Sequence, residues 1–489
     1  MKGNKRMGNR EVRYFTKGDA MGNEATYFVL TLPLKLETWQ KDRLDKRFRV
    51  NCSIYNALLR EGVKRMNQMR QTKRYRTLLE QLDRERDASA RKQIYRELDQ
   101  MQKQYQLRRF DFSKMATPYR QYFKENTDAP VVQNLADQAW RAVNDVICRR
   151  GSQVHFKKEE ELTCLQGKTN QTSIRYQDGH LLWKGLCLPV RRNRSEYERQ
   201  ALSQEIRYCR IKRKWIRGRL RYYAQLVLRG TCPVRRRIPI KEGTVGMDIG
   251  FQKLVCVGMH EIREYAIPSL EQDAWQKEKR RLKRRMERSR RAMNPKNYDN
   301  QGKVIPGCFF WKTSINYRKF KNELREITRK QMLRRETLQR SLMDQCMAMG
   351  DVFLAERLDY AKMKKRAAPG EKKAPLGRRV EQTALSAFFE TMAWKMEQQG
   401  RKLILVNPVT TAAGTMNHQT EKKESLSPGM EIRLIGGCPV DRRAYSAFLL
   451  QHVNPDTGTI DFQKCREDFP AFLHLSQQKQ NKENSQMAG

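Results

Sequence analysis

The chain has 489 residues, of which 100 are Lys or Arg and 54 are Asp or Glu, so its formal net charge is 100 − 54 = +46. That excess is far beyond what solubility needs and points to a polyanion as partner. No apolar run approaches the roughly 18 residues needed to span a bilayer, and the basic residues are spread along the chain, so nucleic acid is favoured over a membrane surface. Eleven cysteines are scattered without any Cys-x-x-Cys pair, which reads as free thiols in a reducing compartment rather than a disulfide framework. The basic start, Met1 to Arg6, has no apolar segment behind it and is not a signal peptide, so the expected location is intracellular.

The length suits two to four domains. Residues 1–24 are polar and are expected to be flexible. Thr26 to Leu32 reads as a strand closed by Pro33. Residues 37–107 read as helices, heavily charged from 66 onward, with Leu78, Leu79, Leu82 and then Ile94, Tyr95, Leu98 at helical spacing. This segment is either a solvated hairpin or an arm that tracks a phosphate backbone, and the charge favours the arm. Val131, Val132, Leu135, Ala139, Trp140, Val143 and Val146 mark the packed face of a further helix.

From about 152 the pattern changes to short strands at Val154–Phe156, Ser173–Tyr176, Leu181–Trp183 and Leu186–Leu188, with Asp178-Gly179 as a hairpin turn. Two longer strands, Ile206–Lys212 and Leu220–Leu228, flank a turn at Ile216 to Arg219. Here Arg207, Arg210, Lys212, Arg213, Lys214, Arg217, Arg219 and Arg221 are interleaved with Tyr208, Trp215, Tyr222 and Tyr223. That mixture suits phosphate contact plus stacking on bases or sugars, although a basic sheet edge also resists aggregation. Residues 233–242 form a Pro- and Arg-rich linker.

Three strands follow, 243–249, 253–258 and Glu261–Ile267, and then a very basic helix. Ten Lys or Arg fall between Lys277 and Arg291, among them Lys277, Arg280, Arg281, Lys283, Arg284, Arg285 and Arg288. Residues 294–308 form a loop. A long helix over about 314–348, a strand ending at Glu356, a mobile segment over 361–379, an amphipathic helix over Val380–Gln399 and a strand at Lys402–Val406 complete the run.

Asp248, inside an apolar strand and followed by Gly250, is out of place for packing alone, because a buried charge needs a partner or a metal. Glu356 ends a second apolar strand, and Asp441 opens a helix, where it could equally serve as an N-cap. Phosphodiester cleavage is served by two Mg²⁺ ions about 4 Å apart on hard carboxylate oxygens. Asp248, Glu356 and Asp441 are therefore the expected catalytic and metal-binding residues. The order strand, strand, strand, helix, strand, helix, strand, helix from 243 is that of an RNase H-like core.

Gly246-Met247-Asp248-Ile249-Gly250, Ala355-Glu356-Arg357-Leu358 and Tyr445-Ser446-Ala447-Phe448-Leu449 resemble the three RuvC motifs of TnpB proteins and compact type V CRISPR effectors. The resemblance implies a multidomain α/β protein. In it a RuvC nuclease core follows a β-barrel wedge module that carries a helical recognition insert. Mapped on this chain, the wedge is split over 25–36 and 151–232 around a recognition domain at 37–150. The core would occupy 243–408, a degenerate target-nucleic-acid-binding insert 409–437, the third motif and C-terminal part 438–476, and a disordered tail 477–489.

The implied activity is RNA-guided, Mg²⁺-dependent cleavage of double-stranded target DNA beside a short flanking motif. Guide RNA and target DNA would be the partners, and the protein would act as a monomer or a homodimer on RNA. The location would be a prokaryotic cytoplasm, with action at the nucleoid. Two departures stand out. Only Cys438 lies in the interval where the family carries paired zinc knuckles, so zinc is not expected. The family's third motif also has Asp where this chain has Arg443. Guided DNA binding with weak or no cleavage is therefore the alternative, and a DDE-type transposase, which uses a similar triad without a guide, is a third.

Overall fold

The computed structural model describes residues 26–487 apart from 193–194, 234–238, 240, 269–273, 309, 361–374 and 428. The segment expected to be flexible at 1–24, most of the 233–242 linker, and residues 361–374 of the stretch expected to be mobile lie outside the described residues. The chain divides into two compact units, one running to Ile211 and including Ala224–Cys232, the other made of Lys212–Tyr223 and Pro233–Gly489.

In the first unit, β1 (Tyr27–Pro33) leads into α1 (Thr38–Gln71), α2 (Lys73–Arg84), α3 (Ala88–Gln104), α4 (Arg109–Tyr122) and α5 (Ala129–Ile147). Leu44, Phe48, Ile54, Leu58 and Leu59 of α1 are buried, as are Val131, Leu135, Ala139 and Val143 of α5. The spacing of three and four residues accounts for both faces. Gly62 lets α4 come close, since a Cβ there would lie 2.5 Å from the Phe112 ring. The α2–α3 hairpin buries only a narrow stripe, including Leu78, Ile94 and Leu98, while Tyr95 faces solvent.

The further strands are β2 (Cys164–Gln166), β3 (Arg175–Gln177), β4 (His180–Trp183), β5 (Leu186–Pro189), β6 (Glu205–Ile216) and β7 (Arg219–Arg229), with α6 (Glu196–Leu202) before β6; the hairpin end Lys212–Tyr223 of β6 and β7 is counted with the second unit. They form a four-stranded sheet in the order β1-β7-β6-β2 and a separate meander β3-β4-β5. The expected barrel is thus two sheets among the described residues, without a closed barrel. The meander strands are only three or four residues long, and a single bridge, Leu34 to Val190, links β1's end to β5's. No strand forms at 154–156. There the Lys157 backbone is taken instead by Asn56, whose side chain accepts from Lys157 N at 3.0 Å and donates to Lys157 O at 2.8 Å. The β6–β7 turn has Arg217 at φ 50° and Gly218 at φ 70°, the left-handed pair that a two-residue hairpin needs.

The second unit is built on β8 (Thr244–Ile249), β9 (Lys253–Val257), β10 (Ile262–Ala266), β11 (Val352–Glu356) and β12 (Lys402–Val406). Their order is β10-β9-β8-β11-β12. β9 is antiparallel to β8 and to β10, while β11 runs parallel to β8 and to β12. Its helices are α7 (Ala274–Met293), α8 (Ile315–Met347), α9 (Pro375–Thr383), α10 (Leu385–Glu397), α11 (Pro408–Thr411), α12 (Arg442–Gln451) and α13 (Phe462–Met487).

Strand alternation divides the sheet's two faces. Val245, Met247 and Ile249 join Phe353 and Ala355 against Leu342, Phe388 and Met392 of α8 and α10. The opposite face carries Val255, Leu354 and Val406 against Tyr445, Phe448 and Leu449 of α12 and Phe469 and Phe472 of α13. Gly246 lies on this second face, where α12 crosses so closely that a Cβ would meet Ala447 O at 1.8 Å.

Two boundaries differ from expectation. The helix expected over 380–399 breaks at Ala384, which is left-handed at φ 49°. The carbonyls freed at the break are taken by α8: Arg335 donates to Glu381 O and Gln382 O, and Gln339 to Thr383 O. The tail from 477 is helical to Met487 rather than disordered. It is rich in helix-forming Gln, Lys and Glu, and Lys479 ties it to Glu264 at 2.9 Å.

Candidate functional site

Asp248 and Glu356 sit on the same face of adjacent parallel strands. Met247 pairs in register with Ala355, so the next residue along each strand is a carboxylate, and alternation turns both toward α12. Asp441 ends β14 (Cys438–Asp441) and leads into α12. This strand pairs with β13 (Ile432–Ile435) in a two-stranded ribbon. All three carboxylates are close enough for the charges of Glu356 and Asp441 to act on Asp248.

One oxygen of Asp441 and one of Glu356 are engaged by donors of the protein itself. Asp441 is an N-cap: its Oδ1 accepts from the backbone N–H of Arg443 at 2.9 Å and of Ala444 at 2.8 Å, which satisfies donors that a helix start leaves open. Glu356 Oε1 accepts from Thr411 Oγ1 at 2.7 Å and Ala413 N at 3.0 Å. Arg443 brings Nη1 to 3.6 Å from Asp248 Oδ2. Its guanidinium lies over Gly250, where a Cβ would come within 2.4 Å of Nη1. Among the described residues, no three His, Cys, Asp or Glu side chains are gathered closely enough to hold a metal ion. A cation of the protein's own stands beside Asp248 instead.

Burial pushes the Asp248 carboxyl from its ordinary 3.8 up to about 6, against the pull of Arg443 and with Glu356 raising it further. A carboxyl raised on folding stabilises the protein below its unfolded value and loses that contribution as pH climbs through the folded one. Asp248→Asn is therefore expected to stabilise the protein by roughly 1–3 kcal/mol at neutral pH. The gain should vanish at acid pH, near the unfolded carboxylate value. Thermal melts at the two pH values check this, and an equal gain at both would contradict it.

The expected nucleic-acid residues divide by exposure. On the β6–β7 hairpin Arg207, Lys214, Arg217, Arg219 and Arg221 are exposed. Arg210 is committed within the protein, bonded to Gln166 Oε1 at 2.9 Å and to Tyr208 Oη at 2.7 Å. Lys212 is half-buried and Arg213 is buried. Trp215 is half-buried with the Arg325 guanidinium 5.6 Å from its ring centre. On α7, Lys277, Arg280, Arg281, Lys283, Arg284 and Arg288 are exposed, while Arg285 packs 4.1 Å over the Phe320 ring.

The segment after β12 is occupied by packing. His418 is buried, its Nδ1 lies 2.7 Å from Tyr445 Oη, and its backbone N–H donates to that oxygen at 3.0 Å. Burial holds its imidazole down at about 4. The ring packs against Phe448 and Phe469. Sequence reasoning missed Thr411 and Ala413 as partners of Glu356, because both lie 55 or more positions away in a stretch with no charge to signal a role.

No protein-family model matches the sequence, and no curated protein does. Among solved structures, the chain is similar to one in a cryo-EM structure of a Cas12f1–sgRNA–target DNA complex. The TM-score is 0.42 at 12% identity, covering 89% of this chain and 100% of that one. It is also similar to a chain in a CRISPR-Cas12f ternary complex, with a TM-score of 0.21 at 13% identity over 86% of each chain. Scores this low decide nothing about function, which has to be read from the residues themselves. Among the described residues no helix is long and apolar enough to cross a membrane.

Proposed function

We propose that this chain is an RNA-guided DNA-binding protein on an RNase H-like, RuvC-type core whose metal site has been taken over by an arginine. The observation that carries the last part is the 3.6 Å approach of Arg443 to Asp248, with Asp441 engaged as a helix cap. The strand order β10-β9-β8-β11-β12 with two antiparallel strand pairs before the crossover supports the RNase H-like reading. The net charge of +46 and the exposed face of α7 support a nucleic-acid partner. The motif resemblance supports the guided mode.

In such a protein, base pairing by the guide reads the sequence while the protein holds backbones and shape. Asp248 and Glu356 next to Arg443 would then be a charged lining rather than a metal cradle. Arg443 also offsets part of the repulsion between two carboxylates and a DNA phosphate.

A second reading, Mg²⁺-dependent endonuclease activity, is favoured by Asp248 and Glu356 standing side by side on one face. It needs Arg443 to swing away from Asp248.

Protein expressed with its native flanking DNA is expected to copurify a discrete RNA, identified by sequencing. Its affinity should fall steeply with salt, with a log–log slope of about −5 if the exposed α7 cations each neutralise one phosphate. Only heterogeneous cellular RNA fragments, or a flat salt dependence, would sink the guided reading.

A further inference from the structure

α7 and α8 form a helical hairpin closed by residues 294–314, and the described residues of this loop are tied together by hydrogen bonds. Buried Asn294 donates to Arg290 O at 2.8 Å and Lys312 O at 2.9 Å, and accepts from Lys312 N at 2.7 Å. Asn297 donates to Phe310 O at 2.7 Å, and its carbonyl accepts from Ile305 N at 3.0 Å. Trp311 is wedged edge-on against Tyr298 at 5.8 Å, with the Arg290 guanidinium 4.7 Å from its ring centre. The hydroxyls of Ser289 and Ser314 meet at 2.6 Å across the two helix ends.

On this frame the Phe310 side chain stands out, 92% exposed. A fixed backbone carrying a bare aromatic ring has no packing purpose, because burial of that ring would have stabilised the fold. Met293, Val304 and Ile305 of the same loop are also exposed.

The electrostatics name the partner. From Arg288 to Lys321 there are nine Lys or Arg and one acid, Asp299. That acid is engaged by the backbone N–H groups of Gln301 at 3.0 Å and Lys303 at 2.7 Å. An exposed ring amid cations is an arrangement that stacks an unpaired base and holds its phosphates. The apolar Val304, Ile305 and Met293 side chains would meet the sugar, and they offer no partner to a 2′-hydroxyl, whose desolvation would go uncompensated.

We infer that the tip of the α7–α8 hairpin is a stacking site for one unpaired base of single-stranded DNA. The base lies against Phe310, and exposed Lys296, Lys303 and Lys312 flank its phosphates. No role was assigned to this loop by the motif resemblance, and the site is distinct from the Asp248 region.

The test uses full-length protein freed of bound nucleic acid and fluorescence anisotropy with short labelled oligonucleotides. Phe310→Ala is expected to weaken binding of mixed-sequence single-stranded DNA about tenfold. Phe310→Trp should retain binding. The salt slope should stay the same, because a ring and not a charge has been removed. Duplex DNA and an abasic strand should bind both forms alike. The proposal is overturned if Phe310→Ala binds single-stranded DNA as wild type does. It is also overturned if the loss extends equally to duplex, to the abasic strand or to RNA of the same sequence. The ring is exposed, so an unchanged melting temperature should accompany the loss, and a fall in stability would assign Phe310 a structural role instead. No guide RNA is present, so the outcome is separable from guided binding.

Discussion

Gly246→Ala is expected to destabilise the protein by about 3 kcal/mol or more, the largest effect anticipated for adding one methyl group here. The added Cβ would lie 1.8 Å from Ala447 O and 2.5 Å from Gln451 N. Both are backbone atoms of α12, so no side chain can rotate aside. Either α12 moves off the sheet or β8 bends, and each exposes part of the aromatic layer of Tyr445, Phe448 and Phe472. Because α12 carries Arg443 close after its Asp441 cap, the shift would also pull Arg443 from Asp248. A denaturant titration reads the loss directly, and a stability equal to wild type would show that α12 does not pack on Gly246.

The same glycine illustrates what could be read ahead of the structure. The apolar alternation of Val245, Met247 and Ile249 and of Phe353 and Ala355 marked both strands, and a carboxylate at the end of each marked the shared face. Alternation is a local property, so the sheet was legible. The role of Gly246 was half legible: a glycine inside a strand signals close approach by something, but not by which helix. The barrel was overread, because short strands with good turns say nothing about whether their edges close.

The site was legible in its parts and not in its relations. Asp441 looked the same as ligand or cap, and only the structure shows its Oδ1 taking the N–H groups of Arg443 and Ala444. The contact between Arg443 and Asp248 joins residues 195 positions apart (443 − 248), and no periodicity carries that information. Phe310 passed unnoticed because an aromatic residue in an apolar run is expected to be buried, and only the structure shows it 92% exposed.

Arg443→Asp is the second large effect. It removes the cation beside Asp248 and offers a third carboxylate from the first turn of α12, where a negative charge is also favoured by the helix dipole. The variant is expected to bind Mn²⁺ saturably by calorimetry where wild type does not. The change at this position alone is from repelling a divalent ion to ligating it. Cleavage of guide-matched DNA in Mg²⁺ should rise by about a hundredfold or more over the wild-type background. Arg443→Ala separates the two contributions, since it removes the repulsion without adding a ligand, and it should fall between wild type and Arg443→Asp in metal affinity. Saturable Mn²⁺ binding by wild type, abolished by Asp441→Ala, would restore Asp441 as a ligand and favour the endonuclease reading.

The central claim is guided binding without cutting, and one measurement addresses it most directly. The variable part of the copurified RNA is replaced by a sequence matching a chosen DNA, and binding to matched and unmatched duplexes is followed in Mg²⁺ by gel shift, with the DNA strands then resolved under denaturing conditions. The predicted result is that binding moves to the newly matched duplex and that both of its strands stay intact. Binding that ignores the guide sequence would contradict the claim of guidance, and cut strands at the matched site would contradict the claim that Arg443 has closed the metal site.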